Sequence, residues 1–260
     1  MIQQPRFVWH DLNTTDSAAA QRFYGELFHW TFKADGPYAH IQAGDQMIGG
    51  VRAIGPGEPT PPSWLGYVGV GDVAATADKM AAAGGTILVP TTEIPNAGTF
   101  AVVADPSGAV LAPWKSARPG DDAEPAGLPA TYTFCWDELA STNLDAATKF
   151  YTATLGWAAT QIDMGGGMTY TLLKRPGVKD PTMPGEDRNA GGAMPSPPGV
   201  PYSYWLAYVA VPSTDAAIDT VTRLGGRVVA PAMDIPNVGR IAVFQDPQGA
   251  TLAVLQPASM

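Results

Sequence analysis

The chain has 260 residues, 45% of them hydrophobic, a formal charge of −9 and a single cysteine, Cys135. Scattered charges of that sign argue against nucleic acid and anionic membrane as partners, and one cysteine excludes an internal disulfide framework or a cysteine-based metal cluster. With no apolar stretch near the roughly eighteen residues of a membrane span and no basic-then-apolar leader, a soluble cytoplasmic protein is expected.

Val8 to Leu12 reads as a strand, with Trp9 and Asp11 on one face and His10 and Leu12 on the other. Thr15, Asp16 and Ser17 offer side-chain oxygens to the unpaired amides of a helix start. Ala20, Phe23, Tyr24, Leu27 and Phe28 then fall on one apolar helical face. Strand-like runs follow at 30–34, 37–43 and 46–54. The order then repeats: a strand from Leu65 to Val70, a helix from Val73 to Ala83 stopped by Gly84 and Gly85, and strands near 86–93, 99–104 and 109–114. Asp105, Pro106, Ser107 and Gly108 form a tight turn, with Pro presetting its second position and Gly its permissive last one. Each half is β-α-β-β-β.

The whole pattern then returns. Trp9, Leu12, Phe23, Tyr24 and Trp30 fall on Trp136, Leu139, Phe150, Tyr151 and Trp157 at one constant offset. The segments beginning at Trp64 and Ile94 return at Trp205 and Ile235 at a longer offset. Two tandem copies are therefore present, four modules in all. The difference in offset places an insertion at 175–189, a Pro/Gly-rich loop that would serve as a lid or a dimer contact. Residues 113–131, rich in Pro, Gly and acid, read as the connection, with domains at 5–116 and 130–258 and a linker at 117–129.

Tandem β-α-β-β-β modules, the Phe23-Tyr24 pair followed by Trp30, the Gly84-Gly85 stop and the Asp105 to Gly108 turn together resemble the vicinal oxygen chelate superfamily of glyoxalases, extradiol dioxygenases and bleomycin-resistance proteins. The resemblance covers nearly the whole chain. It implies an α+β fold in which module pairs form two cupped eight-stranded mixed sheets with helices outside, and one potential site per cup. Metal-dependent members take His, Glu or Gln from the first and last strands of each module. At those positions this chain carries Trp9, Gly49 or Gly50, Leu65 and Ala112, and in the second copy Trp136, Gly191 or Gly192, Leu206 and Ala253. None of these side chains offers a lone pair to a transition metal, so no metal and no cofactor are expected.

Three histidines, His10, His29 and His40, occur, none of them in the second copy. His10 faces away from Trp9, His29 occupies a helix-end turn where the second copy has Gly156, and His40 has a place on a pocket strand. Trp9, Trp136, Tyr67 and Tyr208 either stack a planar ligand or fill the cups as core. Asp11 and Glu138 stand two residues past each tryptophan. Beside an indole a carboxylate is desolvated and suited to proton transfer, or else it ties down the following turn. Asn96 and Asn237 sit in a repeated IPNxG loop, as left-handed turn residues or as amides over the ligand. Cys135 reads as a small buried filler.

The leading expectation is a metal-independent binder of a small apolar or aromatic molecule, of sequestering or resistance type. It would be a monomer or homodimer with ligand contacts from Trp9, His40, Tyr67, Asn96, Trp136, Tyr208 and Asn237. Two alternatives stay open: a lyase or isomerase acting on a small carbonyl compound through Asp11 or Glu138, and a degenerate pair acting as an interaction or stress-response protein.

Overall fold

The computed structural model describes residues 4–118, 120, 123–125, 127–165 and 168–258. Its elements follow the expected order four times over. The first module holds β1 (Arg6–Thr14), α1 (Ser17–Phe28), β2 (Thr31–Asp35), β3 (Tyr38–Ala43) and β4 (Gln46–Ala53). The second holds β5 (Ser63–Gly69), α2 (Val73–Ala82), β6 (Thr86–Ile94), β7 (Gly98–Ala104) and β8 (Val110–Ser116). The third holds β9 (Phe134–Ser141), α3 (Leu144–Leu155), β10 (Ala158–Gly165), β11 (Met168–Lys179) and β12 (Asp187–Pro195). The fourth holds β13 (Tyr204–Ala210), α4 (Thr214–Arg223), β14 (Arg227–Ile235), β15 (Gly239–Gln245) and β16 (Thr251–Pro257). Each helix starts on a capping side chain: Asp16, Asp72, Asn143 and Ser213 accept from the amides of Ala19, Ala75, Ala146 and Ala216.

The strands form two eight-stranded mixed sheets, in the orders β2-β3-β4-β1-β5-β8-β7-β6 and β10-β11-β12-β9-β13-β16-β15-β14. The first and last strands of each module run parallel, as in β1 with β4 and β5 with β8, and the other pairs within a module are antiparallel. This is the α+β arrangement of four βαβββ modules that the sequence leads one to expect. Among the described residues no helix is long and apolar enough to cross a membrane.

The insertion differs from expectation. Only its tip, residues 180–186, is a loop; the rest extends the β11–β12 hairpin, with Lys179 paired to Asp187 across the strands. Pro176 and Gly177 are absorbed by a bulge between Lys174 and Lys179, where Gly177 takes a left-handed φ of 84°. Asp180 closes the tip by donating its amide to Glu186 O and by accepting from Thr182, while Lys179 and Lys174 pair with Asp187 and Glu186.

Packing gathers the chain into two compact units. One consists of Trp9–Leu65, Pro129–Trp136 and Leu206–Met260, and its core joins Leu12, Tyr24, Phe28, Trp30, Ile41 and Trp64 to Val209, Phe244 and Leu252. The other consists of the residues up to Val8, Gly66–Leu128 and Asp137–Trp205, and its core joins Val68, Met80 and Leu111 to Leu139, Phe150, Tyr151, Trp157 and Trp205. The two units use the same devices. In the first, Phe134 packs against Trp30 and Trp64, and the Trp30 indole donates to Tyr132 O at 2.7 Å. In the second, Phe7 packs against Trp157 and Trp205, and the Trp157 indole donates to Pro5 O at 2.8 Å. His10 is buried in the first unit, stacked 3.9 Å from the Phe134 ring. His29, exposed, caps α1 in a left-handed conformation.

The repeated FY tyrosine and the aspartate of the repeated turn turn out to belong together. In the first unit the Trp64 indole donates to Tyr24 Oη at 3.1 Å, and Tyr24 donates to Asp246 Oδ2 at 3.0 Å. The other oxygen of Asp246 accepts from the amides of Gln248, Gly249 and Ala250 at 2.9, 2.8 and 2.9 Å. In the second unit Trp205 donates to Tyr151 Oη at 2.9 Å, and Asp105 Oδ1 accepts from the amides of Ser107 and Ala109. Burial, and then the nearby aspartate charge, push both phenols well above 10.0, and burial also raises Asp246.

Removing the Tyr24 hydroxyl strands both the Trp64 N–H and an Asp246 oxygen. Tyr24→Phe should therefore lose roughly 1–3 kcal/mol of unfolding free energy, measured by urea denaturation at neutral pH. The raised phenols also set an alkaline limit. Below the ordinary value of 10.0 their contribution is fully present. As pH rises beyond it the unfolded chain loses phenolic protons that the folded chain keeps, so stability falls. Unfolding above that pH should release phenolic protons, read as a step in phenolate absorbance, and the step should shrink in Tyr24→Phe and Tyr151→Phe.

Candidate functional site

Alternation along the strands decides which side chains meet. On β3, Ala39 and Ile41 turn into the core, which leaves Tyr38 and His40 on the opposite face of the sheet. On β1, Trp9 and Asp11 share that face. The Trp9 indole donates to Asp11 Oδ1 at 2.9 Å, and the Tyr38 hydroxyl donates to the same oxygen at 2.6 Å. The Trp9 N–H also lies 3.1 Å from Tyr38 Oη. His40 meets both rings edge-on, with centroids 6.1 Å from Trp9 and 5.1 Å from Tyr38. Its Nε2 is 3.3 Å from Asp35 Oδ2, and its buried Nδ1 has no hydrogen-bond partner.

The glycines opposite are explained by the same geometry. Asp11 and His40 both pair with Gly50 on β4, from its two sides. A Cβ at Gly50 would fall inside the Tyr38 phenol, and a Cβ at Gly49 would strike the His10 carbonyl. Tyr38 thus covers the place from which a last-strand ligand would reach.

The second copy repeats this in its own unit. Tyr170 on β11 donates to Glu138 Oε2 at 2.8 Å, and Glu138 pairs with Gly192. A Cβ at Gly192 would fall inside the Tyr170 phenol, and one at Gly191 would strike the Asp137 carbonyl. Tyr204 stands near: burial and then the Glu138 charge, with Tyr202, raise its hydroxyl above 10.0. The position of His40 is taken by Leu172, two residues past the tyrosine.

Trp136 stands two residues before Glu138 on β9, and the other candidates lie on other strands and turns. Tyr67, pairing with Ala112, is buried between Phe100 and Trp114, with centroids at 6.3 and 6.0 Å. Trp136 is half-buried at the start of β9, and Tyr208 is buried with its carbonyl 3.4 Å from Cys135 Sγ. Asn96 and Asn237 are exposed at the tips of the β6–β7 and β14–β15 hairpins, with φ of 62° and 63°. The turn accounts for them. Tyr38 and Tyr170 are the residues that sequence reasoning missed. Their signal was a tyrosine at the matching place in each copy, facing an unexplained glycine pair.

A divalent cation does not fit the residues present. The first-strand positions are indoles, the last-strand positions are glycines covered by phenols, and Ala112 and Ala253 offer no donor. What the arrangement does provide is a half-buried aromatic face with a hydrogen-bonded carboxylate and phenol at its centre.

A model of the Glyoxalase/Bleomycin resistance protein/Dioxygenase superfamily matches residues 6–112 and 134–254. Over 259 residues the chain is 35% identical to a Mycobacterium tuberculosis (strain CDC 1551 / Oshkosh) protein carrying a glyoxylase name, CFP32, covering 96% of this chain and 94% of that one. It is 30% identical over 267 residues to the anthracycline biosynthesis protein DauV of Streptomyces sp. (strain C5), covering 95% and 92%. Among solved structures it is similar to the 2,3-dioxygenase LapB of Pseudomonas sp. KL28, with TM-score 0.65, 13% identity and 100% and 94% coverage. It is also similar to the Mn(II)-bound glyoxalase of Novosphingobium aromaticivorans, with TM-score 0.61, 17% identity and 98% and 82% coverage.

Gly50→Ala should displace the Tyr38 phenol and cost about 1–3 kcal/mol of stability. Because the two positions share one space, Tyr38→Ala in the same chain should cost less than the sum of the separate losses. A denaturant double-mutant cycle with strictly additive terms would show that the phenol does not rest on the glycine.

Proposed function

Since the chain belongs to the Glyoxalase/Bleomycin resistance protein/Dioxygenase superfamily, we propose that it binds a small planar or apolar molecule without a metal, as a sequestering or resistance-type protein. The observation that carries this reading is the phenol laid over each last-strand glycine, Tyr38 on Gly50 and Tyr170 on Gly192. In both copies the place of a metal ligand is taken by an aromatic hydroxyl bonded to a neighbouring carboxylate. Such a face attracts a flat ligand by stacking and by one central polar contact. The names of two relatives support a ligand of this shape, since both are anthracycline biosynthesis proteins and anthracyclines are planar polycyclic aromatics. We place the protein in the cytoplasm, as a monomer or homodimer.

The 2.6 Å contact between Tyr38 and Asp11 favours one second reading, an isomerase or lyase in which this pair moves a proton on a small carbonyl compound. The two readings part at Asp11. As a binder the protein needs Asp11 only to hold Trp9 and Tyr38 in place, which an asparagine oxygen does nearly as well.

Planar aromatic compounds should raise the melting temperature of the purified protein and quench its tryptophan fluorescence, with no metal at stoichiometric level by elemental analysis. Trp9→Ala should weaken binding about tenfold or more, and Asp11→Asn should change it by less than about threefold. Stoichiometric bound nickel, zinc, manganese or iron would overturn the proposal. A turnover that Asp11→Asn abolishes would replace it with the second reading.

A further inference from the structure

Beside the left-handed end of α1, in the first unit, lies a pocket of about 360 Å³ that shares no residue with the aromatic faces. Phe28, His29, Thr131 and Tyr132 line it, together with Ala43 and Asp45 of the β3–β4 turn. The Tyr132 ring lies 5.1 Å from His29 and 6.5 Å from Phe28. Tyr132 keeps a left-handed φ of 65°, which is costly for a bulky residue. It is held there at both peptide groups: its amide donates to Ala210 O and its carbonyl accepts from the Trp30 indole, each at 2.7 Å. The core, and not the pocket, thus sets the place of this ring.

The repeat shows what such a space suits. Ile41 and Leu173 pair with Gly49 and Gly191, and the same register shift follows each, so Ala43 and Arg175 are equivalent positions. The Trp30 and Trp157 indoles donate to Tyr132 O and Pro5 O, so Thr131 and Gln4 are equivalent as well. In the other unit Arg175 runs between these two places. It is 2% exposed, its Nη2 donates to Gln4 O at 2.9 Å, and its two terminal nitrogens hold the Glu124 carboxylate at 2.6 and 2.8 Å. In the first unit the methyl group of Ala43 stands for that side chain, and the space beside Thr131 is open. A carboxylate is at hand there too: Asp45, exposed on the turn, makes no hydrogen bond or ion pair among the described residues. Planar guanidinium groups stack on aromatic rings and donate in pairs to carboxylates. The volume falls within the roughly 300–1,000 Å³ of small-molecule pockets, and a net charge of −9 favours a cation over an anion.

We propose that this pocket binds a small molecule bearing a guanidinium group, seated where the other unit keeps Arg175. The Tyr132 and His29 rings supply the stacking surface and Asp45 the opposite charge.

Full-length protein is titrated with butylguanidinium and with butylurea, its neutral isostere, at fixed ionic strength, and the backbone amides are followed by NMR. Butylguanidinium should move the amides of residues 44–46 and 131–133 saturably, and butylurea should not. This comparison uses the unmodified chain and so depends on no variant's folding. Asp45→Asn should weaken the binding by at least about threefold. Ala43→Arg copies the other unit and supplies the group from within, so it should abolish the response while the melting temperature moves by less than about 5 °C. If butylguanidinium leaves those amides in place, or if butylurea binds as tightly, the pocket does not read a guanidinium and the proposal falls. It falls equally if folded Ala43→Arg binds butylguanidinium with the parent's affinity.

Discussion

A neutral phenol held between an indole N–H and a buried carboxylate is the contact on which the first packed unit rests. Asp246 is almost wholly buried, and an ionised carboxylate in that position is tolerable only if every oxygen is used. Three backbone amides of its own turn fill one oxygen and Tyr24 fills the other. The contact therefore ties helix α1 to the turn before β16, and through the Trp64 indole to β5 as well. Removing any member leaves the others unsatisfied in a low-dielectric interior, where such a loss is felt most.

The candidate site uses the same pair of groups in a wetter setting. A tyrosine hydroxyl again meets a carboxylate, but here the phenol lies on a glycine and the carboxylate is shared with an indole in the first copy. Small residues at Gly50 and Gly192 are thus not vacancies left by lost ligands. They are what the tyrosines require, because any side chain there would occupy the volume of the ring. The two copies then part company two residues further along the strand, with an imidazole in one and an isobutyl group in the other.

Much of this was legible in the sequence, and what was not has a physical reason. Helix faces, strand alternation and the four-fold order were carried by periodicity, which is local. The sequence marks Tyr24 as part of an apolar stripe and of the repeat, but not as a hydrogen-bond donor, because its partner at 246 lies most of the chain away and no local pattern reports it. The tyrosines at 38 and 170 fit ordinary strand alternation, so only the register that sets them over Gly50 and Gly192 shows what they do. The prolines and glycines of residues 175–189 suggest a loop. Cross-strand pairing and lysine–acid pairs overrode that composition, with the bulge taking up Pro176 and Gly177.

The cores themselves carry a historical consequence. Trp30 binds the Tyr132 carbonyl and Tyr24 binds Asp246, so each unit takes its core from both repeats of the gene. Such reciprocity is what two identical subunits would show if they had exchanged halves before their genes were joined. A symmetric pair of that kind would change both of its faces at once, because one codon encodes both. In one chain the two copies are encoded separately and their faces differ, with His40 against Leu172 and Asp11 against Glu138.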